Sequence, residues 1–222
     1  YGTDNMAKGP AMSREEAVKA IEVGIGMVAD LKEKGYNVLA TGEMGIGNTT
    51  TSSAVCSVLL DQSVEKVTGK GAGLTNKDLE HKIEVIRQSI ALNKVNADDP
   101  LDVLAKVGGL DIAGMAGCYI GGAALNIPVF IDGFISSVAA LIAIRLVPEC
   151  APYLFPSHCS NEPAGRMILD AIGKQPYIFA NMCLGEGTGA VMGFTIADYA
   201  FKAYWELPSF EQTNFGTYEE LN

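Results

Sequence analysis

Runs of basic residues are missing from this sequence: no more than two Lys or Arg stand together, and 26 acids against 16 bases leave a net charge of −10. Nucleic-acid binding draws its affinity from Lys and Arg at phosphates, so this balance disfavours a polyanion partner. Any phosphate held here is better cradled by backbone N–H groups. The five cysteines (Cys56, Cys118, Cys150, Cys159, Cys183) form no C-x-x-C pair. Without metal or redox spacing they read as buried free thiols in a reducing cytoplasm. The longest apolar stretch, Ile135 to Val147, contains Arg145 and is too short to span a bilayer. It reads as a buried helix of a soluble protein. The opening stretch YGTDNMAKGPAMSREE is polar and has no apolar segment of the secretory kind, which gives a cytoplasmic expectation.

What is present is core material and glycine. The 222 residues are 48% hydrophobic and 19% charged, enough for one domain with a substantial core. Twenty-five glycines are many for a helical protein and imply loops where backbone approaches something closely. Ser13 followed by Glu16 has capping-box spacing, and REEAVKAIEVGIGMVADLKEK has helical periodicity up to Gly35. NVLATG is a short strand, covered on both faces, running into the loop EMGIGNTT, where Asn48 and Thr49 can cap the next helix. Thr75 opens a helix NKDLEHKIEVIRQSIALNK, and Asp98 to Pro100 open LDVLAKV, broken at Gly108 and Gly109. LDIAGMAGCYIGGAALN carries small residues at helical spacing, suited to close helix packing.

PVFIDG and PYLFPS are further strands, ISSVAALIAIRLV and NEPAGRMILDAIG further helices, and MGFTIADYAFKAYW a last helix before a polar, extended tail after Pro208. Strands alternating with helices predict an α/β fold: a parallel sheet flanked by helices in a Rossmann-like three-layer arrangement, with part of a small helical domain. Residues 1–222 are expected to form one large domain, with 1–35 and 208–222 contributing to a smaller one. In such sheets ligands bind beyond the carboxyl ends of the strands. Glu43 follows NVLA, Asp132 follows PVFI, and Ser157 to Ser160 follow PYLF.

Five loops can carry chemistry. GEMGIGNTT has the G-x-x-x-x-G spacing of a P-loop at Gly42 and Gly47, but Asn48 stands where the lysine belongs. An anion cradle at a helix start, a plain turn, or a carboxylate (Glu43) holding ribose hydroxyls all fit. GKGAGL offers Lys70 and glycines; Lys82 beyond it either reaches a site or lies on a solvated helix face. Asp132 in FIDGFISS is a helix cap, or a hydrogen-bond partner for a sugar hydroxyl or a loop donor. FPSHCSNEP holds Ser157, His158, Ser160, Asn161 and Glu162 without a serine-hydrolase elbow. Phosphate donors or a polar helix start fit that segment better. Glu186 in CLGEGTGAV sits between glycines before a helix that Thr188 can cap. Apolar surroundings would raise its pKa towards general-base use; the helix dipole would lower it.

These loops, in this order, resemble the nicotinate-nucleotide:dimethylbenzimidazole phosphoribosyltransferase family over essentially the whole chain, through GEMGIGNTT, GKGAGL, LEHK, GGLDIAGMAG, IDGF, PSHCSNEPAG and LGEGTGA. The resemblance implies transfer of phosphoribose from nicotinate mononucleotide to a benzimidazole nitrogen, without metal or organic cofactor, in a homodimeric enzyme of cobalamin biosynthesis. It implies Glu186 as the base that takes the azole proton and Glu43 as a second catalytic carboxylate. Gly45, Gly47, Asp132, Ser160 and Lys82 fall at substrate positions, and Met44 and Leu184 at walls of the flat aromatic pocket. Relatives in this family are longer at the amino terminus. Two alternatives stay open: a nucleotide-binding or regulatory homologue inactive alone, and the same transfer to a purine or phenolic acceptor.

Overall fold

A computed structural model of the chain describes residues 2–71 and 73–213. Helix α1, Arg14–Glu33, begins where expected: Ser13 Oγ accepts the Glu16 N–H, and the Glu16 carboxylate accepts the Ser13 N–H. These two bonds satisfy donors that a helix start otherwise leaves orphaned. Its buried face, Ala17, Ile21, Gly24 and Val28, lies along α6, Leu110–Ala124. There the backbones nearly touch, since a Cβ on Gly24 would fall 2.0 Å from the Gly114 carbonyl. The stripe of small residues in α6 therefore does what its spacing predicts.

Three short parallel strands, β1 (Leu39–Ala40), β2 (Val129–Ile131) and β3 (Leu154–Pro156), form a sheet in the order β1-β2-β3. Leu39 pairs with Val129, and Val129 with Leu154. His158 and Ile178 extend the parallel array by a single bridge, at a position where no strand is expected from the sequence. Side chains alternate across a strand. Phe130 faces α9, Thr188–Glu206, with its ring 4.8 Å from that of Phe194. Val129 and Ile131 join the core that α6 and α7, Phe134–Leu146, help to form. Helices on both faces of a parallel sheet are the expected α/β arrangement. Every residue of α7 from Phe134 to Ala143 is buried, so the longest apolar run is a core helix. No helix among the described residues is long and apolar enough to cross a membrane.

The remaining helices are α2 (Asn48–Leu59), α3 (Val64–Val67), α4 (Asn76–Asn93), α5 (Pro100–Val107) and α8 (Gly165–Ala171). Four details differ from expectation. The single turn α3 follows Ser63, in a stretch to which the sequence reading gives no element. A short 3-10 helix, Pro148–Tyr153, shortens the third strand, because Pro148 and Pro152 cannot donate to a ladder. Helix α8 starts at Gly165 and not at Asn161, as Ser160 to Ala164 are spent on a turn. Beyond Pro208 the chain turns back instead of extending, with the Gln212 and Thr213 N–H groups on the Ser209 carbonyl; the rest of the expected tail, 214–222, lies outside the described residues.

Candidate active site

The segments after β1, β2 and β3, the second glycine loop and the loop before α9 meet around one cavity of about 390 Å³. Glu43, Met44, Gly45, Gly47, Asp132, Ser160, Leu184 and Glu186 all line it, as do His158 and Glu162. The position is the carboxyl end of the parallel strands, where this class of fold presents its ligand crevice. Lys82 is the exception. It is only 7% exposed, and its ammonium stands behind the cavity wall, donating to Thr49 Oγ1 at 2.9 Å and the Gly69 carbonyl at 3.1 Å. The solvated-face alternative is thereby removed. Burial lowers the Lys82 pKa and raises that of Glu162, each opposing the other's shift through its charge.

Two glycine loops are locked together by backbone. A Cβ on Gly42 would fall 2.4 Å from the Gly187 nitrogen, so the first loop can lie against the last only with glycine there. In the last loop Gly185, Glu186 and Gly187 adopt φ of 78°, 58° and 79° in succession. Left-handed backbone is routine for glycine but costs a residue with a side chain. What holds Glu186 there is Asp132, which is 1% exposed. Its carboxylate accepts the N–H groups of Gly187 at 3.0 Å, Gly189 at 2.7 Å and Ala190 at 3.1 Å. Asp132 thus caps α9, 55 residues away, and not the helix that follows it in sequence. Thr188 does not cap α9 as expected: its hydroxyl donates to the Gly185 carbonyl at 2.6 Å.

Glu43 is held differently. The Asn48 side-chain amide donates to Glu43 Oε2 and, at 3.0 Å, to Asp111 Oδ2. Asn48 and Thr49 therefore lie inside the first turn of α2 without capping it. Burial, with Asp111, Asp132 and Glu186 nearby, pushes the Glu43 carboxyl above its ordinary pKa, and the Asn48 bond works against that. His158 is kept below its ordinary value by burial, with Asp132 opposing. Its Nδ1 lies 3.1 Å from Ser157 Oγ, whose own proton goes to the Ile131 carbonyl at 2.7 Å. That commitment takes Ser157 out of a nucleophile's role.

Three helices point their amino ends at the cavity. Asp132 neutralises that of α9, while α2 and α7 start from Gly47 and Gly133 with no side-chain cap. The dipoles of both ends favour an anion, while in α2 the Asn48 and Thr50 N–H groups already go to the Gly45 and Gly47 carbonyls. At the rim, Met44, Ile46 and Leu184 are 73%, 97% and 71% exposed, an apolar edge suited to a flat ring. Sequence reasoning missed Ile46 and the partnership of Asn48 with Asp111. Ile46 was readable as an apolar residue inside a polar loop; nothing local marks Asp111.

A family model described as Phosphoribosyltransferase matches residues 1–215. The nicotinate-nucleotide–dimethylbenzimidazole phosphoribosyltransferases of Ruminiclostridium cellulolyticum and Clostridium acetobutylicum are 54% and 50% identical to the chain over 220 residues, 99% of it and 62% of each relative. The solved structure of CobT from Thermus thermophilus aligns with a TM-score of 0.89 at 35% identity, over 95% of this chain and 62% of that one. The chain therefore spans about 62% of the length of these relatives.

Proposed function

Because the chain belongs to the nicotinate-nucleotide:dimethylbenzimidazole phosphoribosyltransferase family, we propose that its cavity transfers the phosphoribosyl group of nicotinate mononucleotide to dimethylbenzimidazole. Nicotinate leaves and an alpha-linked riboside phosphate forms, a step of cobalamin biosynthesis. One observation carries the reading: Glu43 and Glu186, from two interlocked glycine loops, line a cavity that also receives two uncapped helix amino ends. The nucleotide phosphate is assigned to the ends of α2 and α7, with the Ser160 hydroxyl beside it. Met44, Ile46 and Leu184 are assigned to the flat bases.

The chemistry follows from the residue types. As the bond between ribose C1 and the nicotinate nitrogen breaks, its electron pair leaves with nicotinate and positive charge grows on the sugar. Fixed carboxylates around that centre stabilise it. The azole nitrogen attacks C1, and Glu186 takes the azole N–H proton. Glu43, beside Gly185 and Asn48, supplies the second carboxylate. Lys82 acts through Thr49, and Asp132 acts by holding the Glu186 loop. The reading carries with it a homodimeric cytoplasmic enzyme without metal or organic cofactor, and a smaller domain to which 1–35 and 208–222 contribute.

The test is direct. Chain mixed with nicotinate mononucleotide and dimethylbenzimidazole is assayed by chromatography for nicotinate and riboside phosphate. Release of both in equal amounts supports the transfer; a folded chain that binds neither substrate overturns it. The open rim, with Ile46 97% exposed, favours a second reading: the nucleotide half is complete here while the acceptor half needs further walls. Calorimetric binding of nicotinate mononucleotide without turnover is the outcome that selects it.

A further inference from the structure

Glu43 is reached by an amide that is itself held by a second acid. Asn48 Nδ2 carries two N–H groups; one meets Glu43 Oε2 and the other meets Asp111 Oδ2 at 3.0 Å. Asp111 lies in the first turn of α6, 63 residues from Asn48. It can lie there because Gly109 has no side chain, since a Cβ at that position would fall 2.5 Å from Asp111 Oδ1. A side-chain amide has two unlike ends, an NH2 that only donates and an oxygen that only accepts. Facing one carboxyl group alone, Asn48 could rotate to suit either protonation state of that group. With a carboxylate oxygen on its other N–H, rotation would set oxygen against oxygen.

We propose that Asn48 and Asp111 form a positioning pair for Glu43, in which Asp111 fixes the face that the Asn48 amide presents and so presets Glu43 as a hydrogen-bond acceptor. Asp111 then has two opposed effects on Glu43. Its charge, like those of Asp132 and Glu186, disfavours a second negative group nearby; its hold on Asn48 favours one. The pair goes beyond the transferase reading and rests on it only for the use to which Glu43 is put.

The opposition gives a test of sign. The Glu43 side-chain carboxyl is followed by carbon NMR through a pH titration of the intact chain, beside Asp111→Asn, Asn48→Leu and Glu186→Gln. Glu186→Gln removes one negative neighbour and no positioning, so it should lower the Glu43 midpoint and calibrates the charge effect in the same assay. Charge alone demands that Asp111→Asn also lower it. If the pair positions Glu43, Asp111→Asn instead raises the midpoint, by about half a unit or more, because an amide at 111 can present its NH2 as readily as its oxygen, so that the Asn48 amide can turn and favour the protonated form. Asn48→Leu raises it too. A lowered or unchanged midpoint in Asp111→Asn overturns the proposal, and this conservative variant decides the matter should Asn48→Leu fail to fold. The readout is a titration, so its failure is distinct from failure of the transfer assay.

Discussion

The two loops that bring acids to the cavity are alike in sequence and opposite in construction. Both place a glutamate after a glycine and before a helix that begins at glycine. At Glu43 the side chain is gripped, by Asn48, in a partly buried acid cluster. At Glu186 the backbone is gripped, by the three N–H groups that Asp132 accepts, while the side chain opens on the cavity from a left-handed residue. A carboxylate meant to stand beside developing charge needs fixed orientation. One that must accept a proton needs a fixed origin and freedom to meet its partner. Under the proposed transfer, the difference suits Glu43 to the standing charge and Glu186 to the base.

Replacing the acids one at a time tests that assignment most severely. General-base help is worth about 10²–10⁴ in rate, so Glu186→Gln should lower kcat by that order with little change in the KM for nicotinate mononucleotide. Losses shared equally between kcat and KM would undo the base assignment. Next in size is Gly42→Ala. Its Cβ would drive the first loop off Gly187 and move both carboxylates at once, and a displacement of about 1 Å in a reacting group can cost ~10²-fold. Near-parental kcat/KM in this variant would show that the loops do not need each other.

Asp132→Asn comes third. Its amide oxygen can still accept, but the NH2 turns a donor towards donors, leaving buried N–H groups short of partners at about 1–3 kcal/mol. The Glu186 loop should loosen, with faster hydrogen exchange at Gly187, Gly189 and Ala190 and kcat falling about 10-fold, one factor of ten per ~1.4 kcal/mol. Unchanged exchange at these three amides would mean that the loop holds its own shape.

How far this construction could be read beforehand depended on the range of the interaction. The capping box at Ser13, the strand ends, the core helix at Ile135 and the glycine loops are set by neighbours a few residues apart, and all stood in the sequence. Met44 and Leu184 were placed on the cavity by resemblance. For Asp132 the sequence leaves a cap of the adjacent helix, a sugar hydroxyl and a loop donor all open, and cannot choose among them because its partners are more than fifty residues away. Asn48 reads from sequence as a helix cap standing where a P-loop lysine belongs, and its second partner, Asp111, is out of view because it comes from another helix. Lys82 stayed undecided because periodicity cannot tell a buried amine from a solvated one when its acceptors, Thr49 and Gly69, lie in distant loops.

The smallest effect concerns stability and bears on Glu43 as a standing charge. Burial and three acidic neighbours raise its pKa above the ordinary 4.5, so the folded chain keeps the proton at pH values where the unfolded chain has released it. A raised carboxyl pKa makes stability fall as pH climbs from the unfolded value through the folded one, and above both the ionised group is a net cost. Glutamine carries no such charge and its oxygen still accepts from Asn48. Glu43→Gln should therefore melt higher than the parent at neutral pH, by no more than about 2–4 °C for a chain of this size, and the difference should vanish below the ordinary carboxylate value. The measurement is a pair of melting curves across that pH range. A parent that equals or exceeds the variant at neutral pH would mean the Asn48 bond outweighs the burial of Glu43, and the acid cluster would then be no strain on the fold.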